Sequence, residues 1–207
     1  MSTTSTTKLE AVNSMLSIIG EAPVSSLESG LLDAVDAERI LNEVSREVQS
    51  MGWNFNTERN FPAAADSTSG EIVLADEIVR ADLAKTKYRS STEEYVQRGN
   101  KIYDKVKHSF NIGKTLNLDI VKLLDFTDIP EVARRYITVK AARIFQERVL
   151  GSNTLSSMNR ADEQNALFAL QEMEADNGDY NIFDDNSTYS VIDRSIGTKV
   201  TSNGSSF

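Results

Sequence analysis

The chain contains no cysteine and a single histidine, His108. Without cysteine there is no disulfide, no thiolate ligand for a metal and no thiol nucleophile. A zinc site that needs two or more histidines of one chain is excluded as well. A Ser-His-Asp triad would have to use His108, which lies in the basic, turn-like stretch "KVKHSFNIGK". We therefore expect an exposed loop histidine rather than a catalytic one.

Long apolar runs are also missing. No run approaches the roughly 20 apolar residues that a bilayer span needs. Residues 1–8 form a Ser/Thr tract that lacks the basic start and the apolar stretch of a secretory signal. We therefore expect a protein made in the cytosol, with no membrane partner.

Positive charge is in short supply, since 31 acidic residues outnumber 22 basic ones and give a net charge of −9. Such a surface repels nucleic-acid phosphates, which disfavours a DNA-reading regulator. Four cations cluster on the third predicted helix, and we expect them to pair with carboxylates or to make subunit contacts: Arg134, Arg135, Lys140 and Arg143.

Hydrophobic periodicity predicts two helices in the N-terminal part. The first runs from about Lys8 to Ile19, where Gly20 and Pro23 end it. The second runs from about Leu32 to Met51. Because each helix must bury an apolar stripe, the pair is predicted to form a helical hairpin.

Residues 53–125 are predicted to be a mostly β insertion. Alternation in "WNFNTERNFP" indicates a strand that gives way to a loop at Pro62. "EIVLAD" indicates a short strand, and "EIVRADLAKT" indicates a helical turn or an irregular segment. "EYVQRGNKIYDKV" predicts a tight hairpin at Gly99-Asn100, and "TLNLDIVKLLDF" predicts one more strand.

Two further helices are predicted after the insertion. The third begins at Pro130, where Asp128 and Glu131 are predicted to form a capping box, and it ends at Gly151. The fourth runs from residue 153 or 154 to about 176 and has a wide apolar face. Such a face indicates either core packing or a partner surface.

The last segment has no helical period but carries scattered apolar residues, so we expect an extended arm that lies along a neighbour. The predicted fold class is thus α+β: mainly a bundle of about four helices, with a β-rich insertion between helices two and three and an extended C-terminal arm. The predicted boundaries are residues 1–52, 53–125, 126–179 and 180–207.

Several stretches resemble those of one protein family. They are "AVNSMLSIIGEAPVSSLE", "AERILNEVSREVQSMGWNFNTE", "YVQRGNKIYD", "DIPEVARRYITVKAARIFQERVLGS" and "MEADNGDYNIFD", in that order. Together they resemble tail tubular protein A, the head-to-tail adaptors of short-tailed, T7-like phages. The resemblance covers the chain from about Leu9 to Asp184.

The resemblance implies a structural protein of the virion tail that is assembled in the host cytoplasm. Such adaptors form a dodecameric ring below the portal protein. The ring continues the DNA channel, carries the tail nozzle (tail tubular protein B), and has tail fibres docked around the adaptor–nozzle junction. Genomic DNA passes through without sequence-specific binding, and no cofactor or metal is implied. An acidic lumen would repel DNA phosphates, although acidity that serves only solubility stays an open alternative.

Two partner surfaces are hypothesised from the sequence. The β insertion, with Tyr95 and Tyr103 near its tip, is assigned to the nozzle or fibre side. The C-terminal arm is assigned to the portal or to a neighbouring subunit, through its apolar residues Tyr180, Ile182, Phe183, Tyr189 and Ile192.

The alternative function is a tail-associated polysaccharide or peptidoglycan hydrolase. Its carboxylates would come from Glu93-Glu94 or Asp184-Asp185. Glycoside hydrolysis needs two carboxylates roughly 5 to 9.5 Å apart across a cleft, whereas neighbours on a strand point to opposite faces. We therefore expect no enzyme. The oxygen-rich stretch at residues 176–187 lacks the spacing of a calcium loop.

Overall fold

A computed structural model describes residues 5–84, 94–151 and 153–178, and within these ranges the chain forms four α-helices and five β-strands. The helices are α1 (Lys8–Ile19), α2 (Leu32–Ser50), α3 (Glu131–Leu150) and α4 (Asn153–Gly178). The strands are β1 (Thr57–Ala63), β2 (Ile78–Leu83), β3 (Tyr95–Arg98), β4 (Lys101–Asp104) and β5 (Leu116–Lys122). All five strands lie between α2 and α3, which confirms the α+β class and the position of the β-rich insertion. The predicted C-terminal arm, residues 180–207, lies outside the described residues.

Helix α3 is the centre of the bundle, because it packs against α1, α2 and α4. Its Ile137, Ala141 and Phe145 are fully buried, in one apolar cluster with residues of all three other helices. Burial of the Ile137 and Phe145 side chains stabilises the fold by roughly 1.5 to 3 kcal/mol each. Among the described helices, none combines the length and the hydropathy needed to cross a membrane.

The linker between α1 and α2 is fixed by one side chain of α1. The Asn13 side-chain amide donates to the Val24 carbonyl oxygen at 3.0 Å, and its Oδ1 accepts from the Val24 backbone nitrogen at 2.8 Å. Gly20 has φ of 85°, in the left-handed region, and closes α1 as predicted. Val24 and Leu27 then pack against the bundle core. The short linker is therefore an ordered part of the bundle.

Asn13→Ala is expected to lower the free energy of unfolding by about 1 to 2 kcal/mol, because it removes both hydrogen bonds to Val24. Urea unfolding measures the loss. The matched control is Asn165→Ala on an exposed stretch of α4, where we expect almost no loss. Equal stabilities of the two variants would contradict the assigned role of Asn13.

The β-rich region has its own apolar cluster. Strands β1, β5 and β2 form an antiparallel sheet in that order, and β3 pairs with β4 in a hairpin. Ile72, Ile102, Leu118 and Ile120 are buried between these elements. The hairpin and β5 are confirmed where they were predicted. Gly99 has φ of 63° in the tight turn, a conformation that suits glycine.

The sequence prediction for residues 53–63 was wrong in two respects. Trp53 to Asn56 do not form a strand, because Asn54–Asn56 is a 3-10 turn. Pro62 does not begin a loop, since β1 continues to Ala63. Because β1 is an edge strand of its sheet, a proline without an N–H group is tolerated there.

The two "EIV" stretches were also assigned incorrectly. The first, which includes Glu71 and Val73, makes isolated bridges to Asn111 and Lys101 instead of a continuous strand. The second is strand β2, not a helical turn or an irregular segment. A register shift after Ile78 breaks the alternation that would have revealed this strand in the sequence.

The predicted capping box of α3 does not form. Pro130 is the residue that precedes the helix, and Asp128 ends the 3-10 turn Phe126–Asp128. The Glu131 carboxylate instead accepts hydrogen bonds from the backbone nitrogen of Thr6, at 2.9 Å, and from the Thr6 hydroxyl. Glu131 thus contacts Thr6, which is distant in sequence, instead of the neighbouring Asp128.

Candidate assembly surfaces

A buried side-chain amide connects the bundle to the β-rich region. Gln49, at the end of α2, is only 2% exposed. Its Nε2 donates to Ser45 Oγ at 3.0 Å and to the Leu124 carbonyl oxygen at 3.1 Å, and its Oε1 accepts from the Leu124 backbone nitrogen at 2.7 Å. The end of α2 is thereby held to the segment that leaves β5.

A second buried amide completes this connection. Asn56 is 3% exposed, and its Nδ2 donates to the carbonyl oxygens of Gln49 and Lys122 at 2.9 and 2.8 Å. Its Oδ1 accepts from the Trp53 backbone nitrogen at 2.9 Å. Fully satisfied buried networks of this kind select one arrangement of the elements they join. We call Gln49 and Asn56 the amide joint.

The chain between the two amides is tightly confined. Gly52 has φ of 79°, and a Cβ at this position would lie 2.5 Å from Arg80 Nη2. Arg80 Nη1 donates to the Met51 carbonyl oxygen at 3.3 Å. The Trp53 indole N–H donates to the Val48 carbonyl oxygen at 2.8 Å. Both the helix end and the strand that follows are therefore held in place.

Tyr95 and Tyr103, the two predicted partner residues within the described part, are both half-buried on the hairpin. The Tyr103 ring lies 3.7 Å from the Arg98 Cζ and 5.0 Å, edge to face, from the Phe110 ring. Such cation–π and aromatic pairs stiffen the hairpin surface. The Lys114 Nζ lies 5.7 Å from the Tyr95 ring.

The other predicted partner residues are those of the C-terminal arm, and they lie outside the described residues: Tyr180, Ile182, Phe183, Tyr189 and Ile192. The apolar side chains most exposed on the described β-rich region are Val73 at 57% and Val106 at 55%. Val106 was expected to continue the alternation of the hairpin, but β4 ends at Asp104 and Val106 lies in the turn that follows.

The cations of α3 are largely engaged within the chain. Lys140 Nζ lies 2.8 Å from a Glu47 carboxylate oxygen, and Arg143 contacts both Glu147, at 3.0 Å, and Glu163. The hydrogen bond that Arg143 donates to the Glu163 carboxylate is the main reason why the pKa of Arg143 is raised. The expected pairing with carboxylates is thus confirmed for Lys140 and Arg143.

Arg134 departs from that expectation. It is 8% exposed and donates to three backbone carbonyl oxygens rather than to a carboxylate: Ile129 at 2.6 Å, Thr6 at 2.9 Å, and Thr127. Arg134 therefore holds the start of α1 against the start of α3.

The residues that a hydrolase or a His-dependent catalyst would use lie on the protein surface where the structure describes them. Glu94 is exposed and lies 2.7 Å from Lys105 Nζ, whereas Glu93, Asp184 and Asp185 are outside the described residues. His108 is exposed, with φ of 51°. Across the described ranges, no group of acidic or histidine side chains could hold a metal ion.

The wide apolar face of α4 is used only in part for core packing, among its described side chains. Ala166 and Leu170 are buried in the bundle core. Phe168 points away from the core and is 64% exposed. The surface of the bundle therefore carries an aromatic side chain with nothing described above it.

The comparison with known families agrees with the resemblance seen in the sequence. A family model described as tail tubular protein matches residues 9–180, which is most of the chain. No match was found among the curated proteins. The matched range contains all five described strands, helices α2, α3 and α4 in full, and α1 from its second residue. The chain therefore belongs to the tail tubular protein family, whose members are structural components of the phage tail and not enzymes.

Proposed function

We propose that this tail tubular protein is the head-to-tail adaptor of its phage. Twelve copies form a ring between the portal protein and the nozzle, and the ring continues the DNA channel. Tail fibres dock around the junction with the nozzle. The family match supports a tail protein, and the sequence resemblance to phage adaptors supports this particular position.

The amide joint is the observation that carries the proposal. An adaptor has to present one surface towards the head and another towards the tail at a fixed angle. Gln49 and Asn56 bind the end of α2 to the last residue of β5 and to Leu124 just after it, and they do so from buried positions. Packed interiors of this kind resist deformation. The chain is thus suited to act as one rigid block.

The partners are assigned to different parts of the block. The hairpin, with the supported rings of Tyr95 and Tyr103, faces the nozzle or the fibres. Aromatic side chains held by neighbours lose little conformational entropy on binding, which suits an interface. The C-terminal residues, among them Tyr180 and Phe183, bind the portal or a neighbouring subunit. Acidic side chains of this chain, whose net charge is −9, line the channel and repel DNA phosphates, so that DNA passes without binding.

Electron microscopy of the purified chain mixed with portal protein tests the proposal. We expect a ring of copies on one face of the portal, and we expect the nozzle protein to bind only to the ring-bearing complex. Portal that binds nozzle directly, with the chain left free in solution, would contradict it.

Deletion of residues 185–207 is expected to weaken binding to the portal or to the neighbouring copy at least tenfold. The deleted segment contains Tyr189 and Ile192, and burial of one such side chain is worth roughly 1.5 to 3 kcal/mol, where about 1.4 kcal/mol is a factor of ten. Sedimentation with portal measures the change. Deletion of residues 1–4 serves as the control, and unchanged portal binding together with unchanged ring formation after the C-terminal deletion would dispose of this assignment.

A further inference from the structure

We infer that the outer face of α4 on one copy binds the outer face of α2 on the next copy, with Phe168 as the apolar anchor and an ion pair between Asp162 and Arg46. The inference rests on the proposed ring and names the surfaces that close it. A ring needs two different surfaces on each subunit, and each surface must be complementary to the other.

The outer face of α4 has the composition of an interface core. Helix α4 packs chiefly against α3, and no element of the described residues covers the opposite side of α4. Phe168 is 64% exposed there, and Ala161, Gln164, Asn165 and Glu172 lie exposed on the same side. An aromatic side chain next to small and amide side chains is typical of an interface centre, and the charged Glu172 lies at its edge. Asp162 flanks this face and is exposed.

The outer face of α2 carries one arginine, Arg46, that makes no ion pair with the described residues. Two glutamates of α2 are occupied by α3, since Glu43 pairs with Arg148 and Glu47 with Lys140. Arg46 is exposed, and within the described part of the chain no carboxylate lies at ion-pair distance from it. Asp162 is equally without an ion-pair partner in the described ranges.

The ion pairs of the bundle also show in which direction these helices run relative to one another. Glu47 with Lys140 and Glu43 with Arg148 show that α2 runs antiparallel to α3. Helix α4 follows α3 after a short connection and also runs back along it. Helices α2 and α4 are therefore parallel within one chain. Rotation about a ring axis that runs along the bundle keeps them parallel between neighbouring copies.

The same contacts place Arg46 and Asp162 at the same level along the helix axes, which we call their height. Lys140 and Arg143 are less than one helical turn apart on α3, and they bind Glu47 on α2 and Glu163 on α4. Arg46 and Asp162 precede these glutamates by one residue each. Rotation about the axis preserves height, so Arg46 of one copy meets Asp162 of the next. Phe168 then lies roughly 9 Å further along α4 and packs over the last turn of α2, where Ser50 is small and exposed.

Charge reversal tests the pairing in the full-length chain. Arg46→Glu and Asp162→Arg are each expected to reduce ring formation at least tenfold, because each brings like charges together. An equal mixture of the two variants is expected to form rings again, since alternating copies pair opposite charges at every interface. Sedimentation velocity and electron microscopy, alone and on the portal, measure assembly. A contact within one chain could not be rescued by mixing.

Phe168→Asp tests the apolar anchor independently. We expect it to reduce ring formation more than tenfold, whereas Val106→Asp, a similarly exposed valine of the β-rich region, is expected to leave assembly unchanged. Because both side chains are exposed, circular dichroism and unfolding curves should match those of the wild type.

The outcomes separate this inference from the function on which it rests. If the wild type and all three variants form equal rings, the α2–α4 contact is overturned and the adaptor function stands. If Phe168→Asp abolishes rings but mixing the charge variants restores nothing, the pairing of α4 with α2 is overturned. A wild type that forms no ring, with or without portal, would overturn both.

Discussion

Asn56→Ala is expected to lower the free energy of unfolding by about 3 kcal/mol and to split one unfolding transition into two. The substitution leaves the carbonyl oxygens of Gln49 and Lys122 without their donor in a buried place, and each such loss costs roughly 1 to 3 kcal/mol. Because these two carbonyls belong to the bundle and to the β-rich region, their loss should uncouple the two. Differential scanning calorimetry and urea unfolding measure both effects.

Asn54→Ala is the matched control for the amide joint. Asn54 lies in the same 3-10 turn but is exposed, so we expect a change within about 0.5 kcal/mol and a single transition. If Asn56→Ala behaved like Asn54→Ala, the two regions would not be held together by this side chain. The rigid-block argument for the adaptor would then lose its main support.

Arg134→Met is expected to lower the free energy of unfolding by about 3 kcal/mol. Methionine keeps much of the apolar stem of arginine but removes the donors to Ile129, Thr6 and Thr127. The start of α1 should then detach from α3, so proteolysis near Thr6 should precede global unfolding. Urea unfolding and limited proteolysis measure these two consequences.

Arg135→Met supplies the control for the Arg134 prediction, because it removes the same charge from the next position of α3, where the side chain is exposed. We expect a change within about 0.5 kcal/mol and no new cleavage site. Equal destabilisation by the two substitutions would show that net charge, and not the three carbonyl contacts, decides the effect.

Local signals in the sequence were sufficient wherever a structure is set by neighbours along the chain. Helix α1 has the predicted bounds, because its apolar spacing and Gly20 act over a few residues. The β3–β4 hairpin was equally predictable, since the turn at Gly99 and the flanking alternation agree. The resemblance to phage adaptors then indicated a tail protein, which the family match supports.

Structures that depend on contacts between distant segments could not be predicted from the sequence. Asn56 turns the chain because its amide reaches Lys122, and Glu131 is occupied by Thr6 instead of by Asp128. The register shift after Ile78 concealed β2. Phe168 could not be distinguished from a core residue in the sequence. The apolar residues of α4 extend around more of the helix than α3 covers, and Phe168 is among those left exposed.

The most direct measurement is cryo-electron microscopy of the intact virion at a resolution that shows helices. We predict a closed ring of this chain between portal and nozzle, in which every copy holds its bundle and its β-rich region at the same angle. A virion tail in which this chain is absent, or in which its copies lie apart from one another away from the portal, would contradict the adaptor function.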